Sequence, residues 1–249
     1  MAGHSHWANI SRKKGVIDAK RGKLWSKLAT GIIVAAKIGG GDPAANLKLR
    51  YAIDAAKAVS MPKDNIERAI KAGTGESKAG NIEEILYEGY GPHGVAVLCE
   101  IFTDNRNRTA GEVRKIFELC GGKLGETGCV AWMFDRKGLF VIPAGKIEED
   151  TLMELALEAG ADDVQRAGDS FEVTCEPSNF QSVSDGLEQK GIAVDSREIT
   201  RLPKNTVDLD ARGGRQVLRL MELLDDHDDV QKVAANFNIP DEAMAELGG

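Results

Sequence analysis

The 249-residue chain carries 39 acidic and 32 basic side chains, a net charge of −7, and no apolar run long enough to cross a membrane. The charge is divided. Residues 1–78 hold 15 Lys/Arg against 6 Asp/Glu, a net +9, while residues 79–249 hold 17 against 33, a net −16. An acidic body repels phosphate, so binding to a polyanion must use the N-terminal end.

That end is itself patterned. Arg12, Lys13, Lys14, Lys20, Arg21, Lys23 and Lys27 stand against one acid, Asp18, and follow His4, Ser5, His6, Trp7 and Asn9. Cations neutralise phosphates and flat rings accept unstacked bases, so these residues are the candidate nucleic-acid contacts. Once Met1 is removed, Ala2-Gly3-His4 presents an amine, two amides and an imidazole, a planar set that Cu(II) favours in vitro. No cellular metal role is expected from it.

Helical spacing of Leu24, Leu28, Ile32 and Ala35 predicts a helix over 16–38, stopped by Gly39-Gly40-Gly41. Asp42-Pro43 reads as the cap and first turn of a second helix to about Val59. Ser60-Met61-Pro62 breaks it, and a third helix carries Ile66, Ala69 and Ile70 to Gly73. From Asn81 the pattern becomes α+β. Strands are expected over 85–90 and 95–102, a helix over 109–119 with Thr109 and Glu112 as a capping box, and a strand over 129–134. The next elements are predicted as strand 139–142, helix 148–159, strands 163–166 and 171–175, helix 179–190 and strand 193–201. That β-α-β-β-α-β order is ferredoxin-like. After Thr206 come a short strand over 207–209, a helix over 215–224 and a strand over 230–239. These cannot bury their own apolar faces and must complete the sheet begun at residue 81. The expected fold is therefore α+β multidomain: a basic helical domain 1–80, a discontinuous α+β domain of 81–134 and 205–249, and an inserted ferredoxin-like domain 135–204.

Most chemical motifs fail on context. Gly89-Tyr90-Gly91-Pro92-His93-Gly94 matches G-x-G-x-x-G, but a strand follows it rather than a helix, so it reads as a turn and not a dinucleotide site. Asp225-Asp226-His227-Asp228-Asp229 lacks the glycine and distal Glu of a calcium loop and reads as a solvated polar loop. Cys99, Cys120, Cys129 and Cys175 show no Cys-x-x-Cys spacing, and three of them fall in strand-like runs, so buried reduced thiols are expected. No catalytic residue, metal or cofactor is assigned. Asn105, Arg106, Asn107 and Arg108, on a loop between a buried strand and a helix, are a second candidate contact with nucleic acid.

The start Met1-Ala-Gly-His-Ser-His-Trp-Ala-Asn-Ile, the Arg21–Leu28 segment, Gly41-Asp42-Pro43 with Asn46, Met61-Pro62-Lys63-Asp64-Asn65-Ile66, the Tyr87–Pro92 turn and the Thr103–Arg114 stretch together resemble the YebC family, in family order and nearly end to end. The resemblance implies an N-terminal helical bundle, an α+β domain and a ferredoxin-like insertion. It also implies a cytoplasmic, non-enzymatic, DNA-binding regulator of transcription. The alternative it carries is a translational activator contacting ribosomal or messenger RNA, with the ribosome as partner. Neither a membrane nor a small-molecule substrate is expected.

Overall fold

The computed structural model describes residues 18–75 and 82–247. Three helices come first: α1 (Asp18–Gly39), α2 (Leu47–Ala58) and α3 (Lys63–Gly73). Next are β1 (Glu83–Tyr90), β2 (Ala96–Thr103), α4 (Arg106–Leu119) and β3 (Lys123–Leu124). The middle of the chain forms β4 (Phe134–Pro143), α5 (Glu149–Glu158), β5 (Asp163–Ala167), β6 (Ser170–Cys175), α6 (Phe180–Gln189) and β7 (Ser196–Pro203). The last described elements are β8 (Val207–Asp208), α7 (Ala211–Asp225), β9 (Val230–Ala235), β10 (Phe237–Asn238) and α8 (Asp241–Leu247).

The three N-terminal helices share a core in which Ile32, Ala35, Leu49, Ile53, Ile66 and Ala69 meet. Gly73 lies where α3 crosses α1, and a Cβ there would run into the Ile33 carbonyl oxygen. α2 begins later than Asp42-Pro43 predicts. Asp42 closes a turn instead, its Oδ1 accepting from the Ala44 amide at 2.9 Å. Asn46 is the cap, with Oδ1 accepting from Leu49 N at 3.1 Å. The reason is tertiary: Asn46 is buried, and its Nδ2 donates to the carbonyls of Ala35 and Gly40, each at 2.8 Å. One side chain therefore starts α2 and ties it to the end of α1. Asn46→Ala is expected to cost about 2–3 kcal/mol, a lost cap plus buried carbonyls left bare, read from urea unfolding.

The central sheet has the order β3-β1-β2-β9, antiparallel throughout. β2 is covered on both faces, so its apolar run does not alternate. Val97, Cys99 and Ile101 pack on one side with Val113 and Phe117 of α4 and Val217, Leu220 and Leu224 of α7. Ala96 and Leu98 face the other way, toward Val130, Phe134 and Ala234. Residues 129–133, predicted as strand, form a loop and a single 3-10 turn (Ala131–Met133) that closes this second face. The predicted strand 230–239 is also divided. Buried Asn236 interrupts it, accepting the Ala96 N–H on Oδ1 at 2.7 Å, and β10 leaves to pair in parallel with β8. α8, which the periodicity does not predict, rests Ala243 and Met244 on the same core.

The second sheet has the order β5-β6-β4-β7, again antiparallel, over a core that includes Phe140, Leu152, Val173, Phe180 and Leu187. Salt bridges join the parts: Arg201 to Glu100 at 3.1 Å and Lys232 to Glu198 at 2.5 Å between the sheets, Lys48 to Glu84 at 2.7 Å from α2 to β1. Tyr51 of α2 meets Phe180 edge-on, ring centroids 4.9 Å apart. Cys99 and Cys175 are buried in strands, and burial pushes their thiols up to about 12 and about 11. Cys120, at the end of α4, and Cys129, in the loop, are partly exposed, so the expectation of buried thiols fails for these two. Among the described residues no helix is long and apolar enough to cross a membrane.

Candidate nucleic-acid interface

His4, Ser5, His6, Trp7, Asn9, Arg12, Lys13 and Lys14, with the Ala2-Gly3-His4 copper reading, lie outside the described residues. Lys20 and Arg21 fall on the first turn of α1. The next two cations on that helix face the protein's own acids. Lys23 pairs with Asp228 at 3.3 Å, and Lys27 donates to the Asp225 carbonyl at the C-terminal end of α7. Burial lowers the Lys27 pKa, while Asp225 beside it acts in the opposite sense. A lysine at a helix C-terminus also meets the negative end of the helix dipole. Two other cations of the helical part keep open surroundings: among the described residues Lys63 and Lys57 make only intrahelical pairs, with Glu67 at 3.4 Å and Asp54 at 3.7 Å. Exposed pairs of that kind contribute little and compete weakly with phosphate.

The second candidate group sits on a helix rather than a loop. Asn105 is the N-cap of α4, accepting from Arg108 N at 3.1 Å, so Arg106, Asn107 and Arg108 form the first helical turn. Thr109, read from sequence as the cap, is a full turn inside and completely buried. Its hydroxyl is engaged by Asp229 at 2.6 Å and Thr103 at 2.8 Å, partners far away in sequence or behind the helix start. Arg108 also binds Asp229, at 2.8 Å, and Asp104, at 3.2 Å. Arg106 and Asn107 are exposed, and Arg106 makes no ion pair among the described residues. The four residues thus divide: Asn105 and Arg108 hold the fold, Arg106 and Asn107 face solvent.

This network corrects the reading of 225–229 as a solvated loop. Asp225, Asp226 and Asp228 do lie at the surface, but the side chains of His227 and Asp229 are only 13% and 17% exposed. Burial opposes ionisation of Asp229, and hydrogen bonds from Thr109 and Arg108 outweigh it, holding the carboxyl below its usual range. His227 Nδ1 accepts the Asp229 N–H at 3.1 Å, which leaves Nε2 to donate to Glu112 at 2.9 Å. Glu112, His227 and Asp229 bring ligand-type atoms within 4.8 Å of one another. Arg108 supplies the positive charge there, and the cluster is read as a hydrogen-bonded joint between α4 and the α7–β9 connection.

A third group has no motif to announce it in the sequence. Glu88, on β1, is 2% exposed, and its carboxylate accepts three backbone N–H bonds from the loop after β3. Gly128 N lies at 2.6 Å, Val130 N at 2.8 Å and Ala131 N at 2.7 Å. The loop so held exposes Trp132 at 66%, next to Tyr90 at 41%. Glycines at 125 and 128 on either side of Glu-Thr are the available turn signal.

Two models of one family cover almost the whole chain: the TACO1/YebC N-terminal domain matches residues 5–76, and the TACO1/YebC second and third domain matches residues 82–237. The chain belongs to the TACO1/YebC family. A relative from Desulfatibacillum aliphaticivorans, named probable transcriptional regulatory protein, is 55% identical over 99% of this chain and 100% of its own. One from Rhodopirellula baltica with the same type of name is 56% identical, with the same coverage. A crystal structure of a conserved hypothetical protein from Aquifex aeolicus is 46% identical, with a TM-score of 0.82 over 90% of this chain and 93% of that one. The helices-then-α+β layout described above is thus shared with a solved structure.

Proposed function

We propose that this TACO1/YebC protein is a cytoplasmic, non-enzymatic regulator of gene expression that binds nucleic acid through its N-terminal lobe. One observation carries the reading: a +9 head precedes a −16 body, so long-range attraction for phosphate is concentrated in the head. The names of its relatives support transcription as the process regulated. The contacts are His4, Ser5, His6, Trp7, Asn9, Arg12, Lys13, Lys14, Lys20 and Arg21, with Arg106 and Asn107 as a second surface. Lys23 and Lys27 join them where phosphate displaces Asp228 and the Asp225 carbonyl. The same reading divides the protein into a basic helical domain 1–80, an α+β domain of 81–134 and 205–249, and a ferredoxin-like insertion 135–204. The strand order β5-β6-β4-β7 supports that insertion, because the chain enters by β4 and leaves by its neighbour β7.

Crosslinking in cells followed by sequencing of the attached nucleic acid tests the target. Promoter DNA is expected; enrichment of ribosomal or messenger RNA would transfer the action to translation, and no enrichment would end the proposal. The arm has its own test. Replacing Arg12, Lys13 and Lys14 together by Ala is expected to lower the slope of log K against log salt by roughly 2–3, about one for each phosphate no longer neutralised. Trp7→Ala is expected to leave that slope unchanged and to cost about 1–3 kcal/mol of affinity, the worth of a base stacked on the indole.

A further inference from the structure

Trp132 and Tyr90 are large rings left in solvent, yet neither is loose. The Trp132 Nε1–H and the Tyr90 hydroxyl donate to one acceptor, the carbonyl of Cys129, both at 3.2 Å. Each polar edge is thereby satisfied while the ring bodies stay 66% and 41% exposed. The carbonyl they share is fixed in turn. Its neighbours Gly128, Val130 and Ala131 give their N–H groups to the buried Glu88 carboxylate, and Gly125 packs so closely on Cys129 Sγ that a Cβ there would lie 2.5 Å away. Lys123 completes the patch. It stands directly opposite Tyr90 in the β1–β3 ladder, and opposed residues of an antiparallel pair project from the same face. Lys123 is exposed and has no ion-pair partner among the described residues. Glu126, in the same loop, is the one acid between Lys123 and Trp132 along the chain.

A core would hide the rings, and a solvated loop would have no cause to hold them rigid. Two aromatic faces fixed in advance beside a free ammonium match an unpaired nucleobase with its phosphate: the base stacks, the phosphate takes the cation, and little ordering remains to oppose binding. From this we propose that Tyr90, Trp132 and Lys123 form a stacking platform for single-stranded nucleic acid, RNA or DNA, with Glu88 as its positioning residue. The proposal rests on the reading of the protein as nucleic-acid-binding, but it places the unpaired bases on the central domain, away from the arm.

The test uses the full chain with fluorescently labelled oligo(U), oligo(dT) and a duplex. Trp132→Ala is expected to weaken binding to the single strands by roughly tenfold and to leave duplex binding and the melting temperature unchanged. Trp132→Phe restores most of the affinity, because a ring suffices for stacking. Lys123→Ala lowers the single-strand salt slope by about one. An abasic oligomer binds parent and Trp132→Ala alike. A preference for oligo(U) or oligo(dT) in the parent identifies the strand type. Equal single-strand affinity of parent and Trp132→Ala overturns the platform and leaves the patch to a protein partner. If the triple arm variant loses duplex binding in that same case, the functional proposal stands and only the platform falls.

Discussion

Glu88→Ala is expected to remove about 3–5 kcal/mol of unfolding free energy. The side chain is 2% exposed and holds three N–H groups, two of them on one oxygen. Truncation leaves those donors without a partner where water enters poorly, and each bare group costs about 1–3 kcal/mol. Glu88→Gln discriminates the cause. An amide oxygen can replace the Oε2 that serves Val130 and Ala131, but its NH2 then faces the Gly128 N–H, donor against donor. About half the loss is expected. Denaturant unfolding measures both, and limited proteolysis within 125–133 reports whether the loop opens first. An unchanged midpoint for the Ala variant would show that the loop is held by other means.

Asp229→Ala is expected to cost about 2–4 kcal/mol and to undo the joint between α4 and β9. Thr103 and Thr109, buried at 2% and 0% exposure, lose their shared acceptor, while Arg108 at the surface is released to water. The variant Asp229→Asn keeps size and one oxygen and should recover a part. The pH dependence has a definite sign. The folded pKa of Asp229 is depressed, so its stabilisation is complete above the unfolded value of about 3.9 and fades as pH falls through the folded one. Glu88 is depressed too: burial opposes ionisation, and the three backbone hydrogen bonds prevail. The gap in stability between parent and Asp229→Ala should therefore close on acidification below about pH 4 and remain constant from about pH 5 to 8. A gap that widened in acid would contradict the charged form as the stabilising one.

The same residues explain what could be read from the sequence. Periodicity locates the helices of the N-terminal lobe, each with one face turned to a core, and apolar runs locate most strands, β2 among them although it is covered on both faces. Caps are less legible. Asp42-Pro43 and Asn46 are both competent to start a helix, and the choice falls to Asn46 through carbonyls of α1. Thr109-x-x-Glu112 has the letters of a capping box, yet Thr109 serves Asp229 and Glu112 serves His227. Distant partners use what look like local polar patterns. Cys129–Phe134 has the composition of a strand, but its Val130 and Ala131 amides go to a carboxylate more than 40 residues earlier, which no window along the chain contains. For the arm the charge pattern is plain in the sequence, and Lys23 and Lys27 acquire acidic neighbours only through the fold.

The position of β9 has a consequence for the order in which the protein can be made. β2 is mainly apolar, with Glu100 and Thr103 as its polar residues, and hydrogen-bonds to β1 on one side and β9 on the other. β1 is adjacent in the sequence, but β9 begins at Val230, after the whole second sheet and α7. A chain growing from its N-terminus therefore completes the helical lobe first and the second sheet next, with the outer edge of β2 open throughout. An open apolar edge is the template on which nascent chains misassociate. The central core, although it begins second in the sequence, is the last that translation can close.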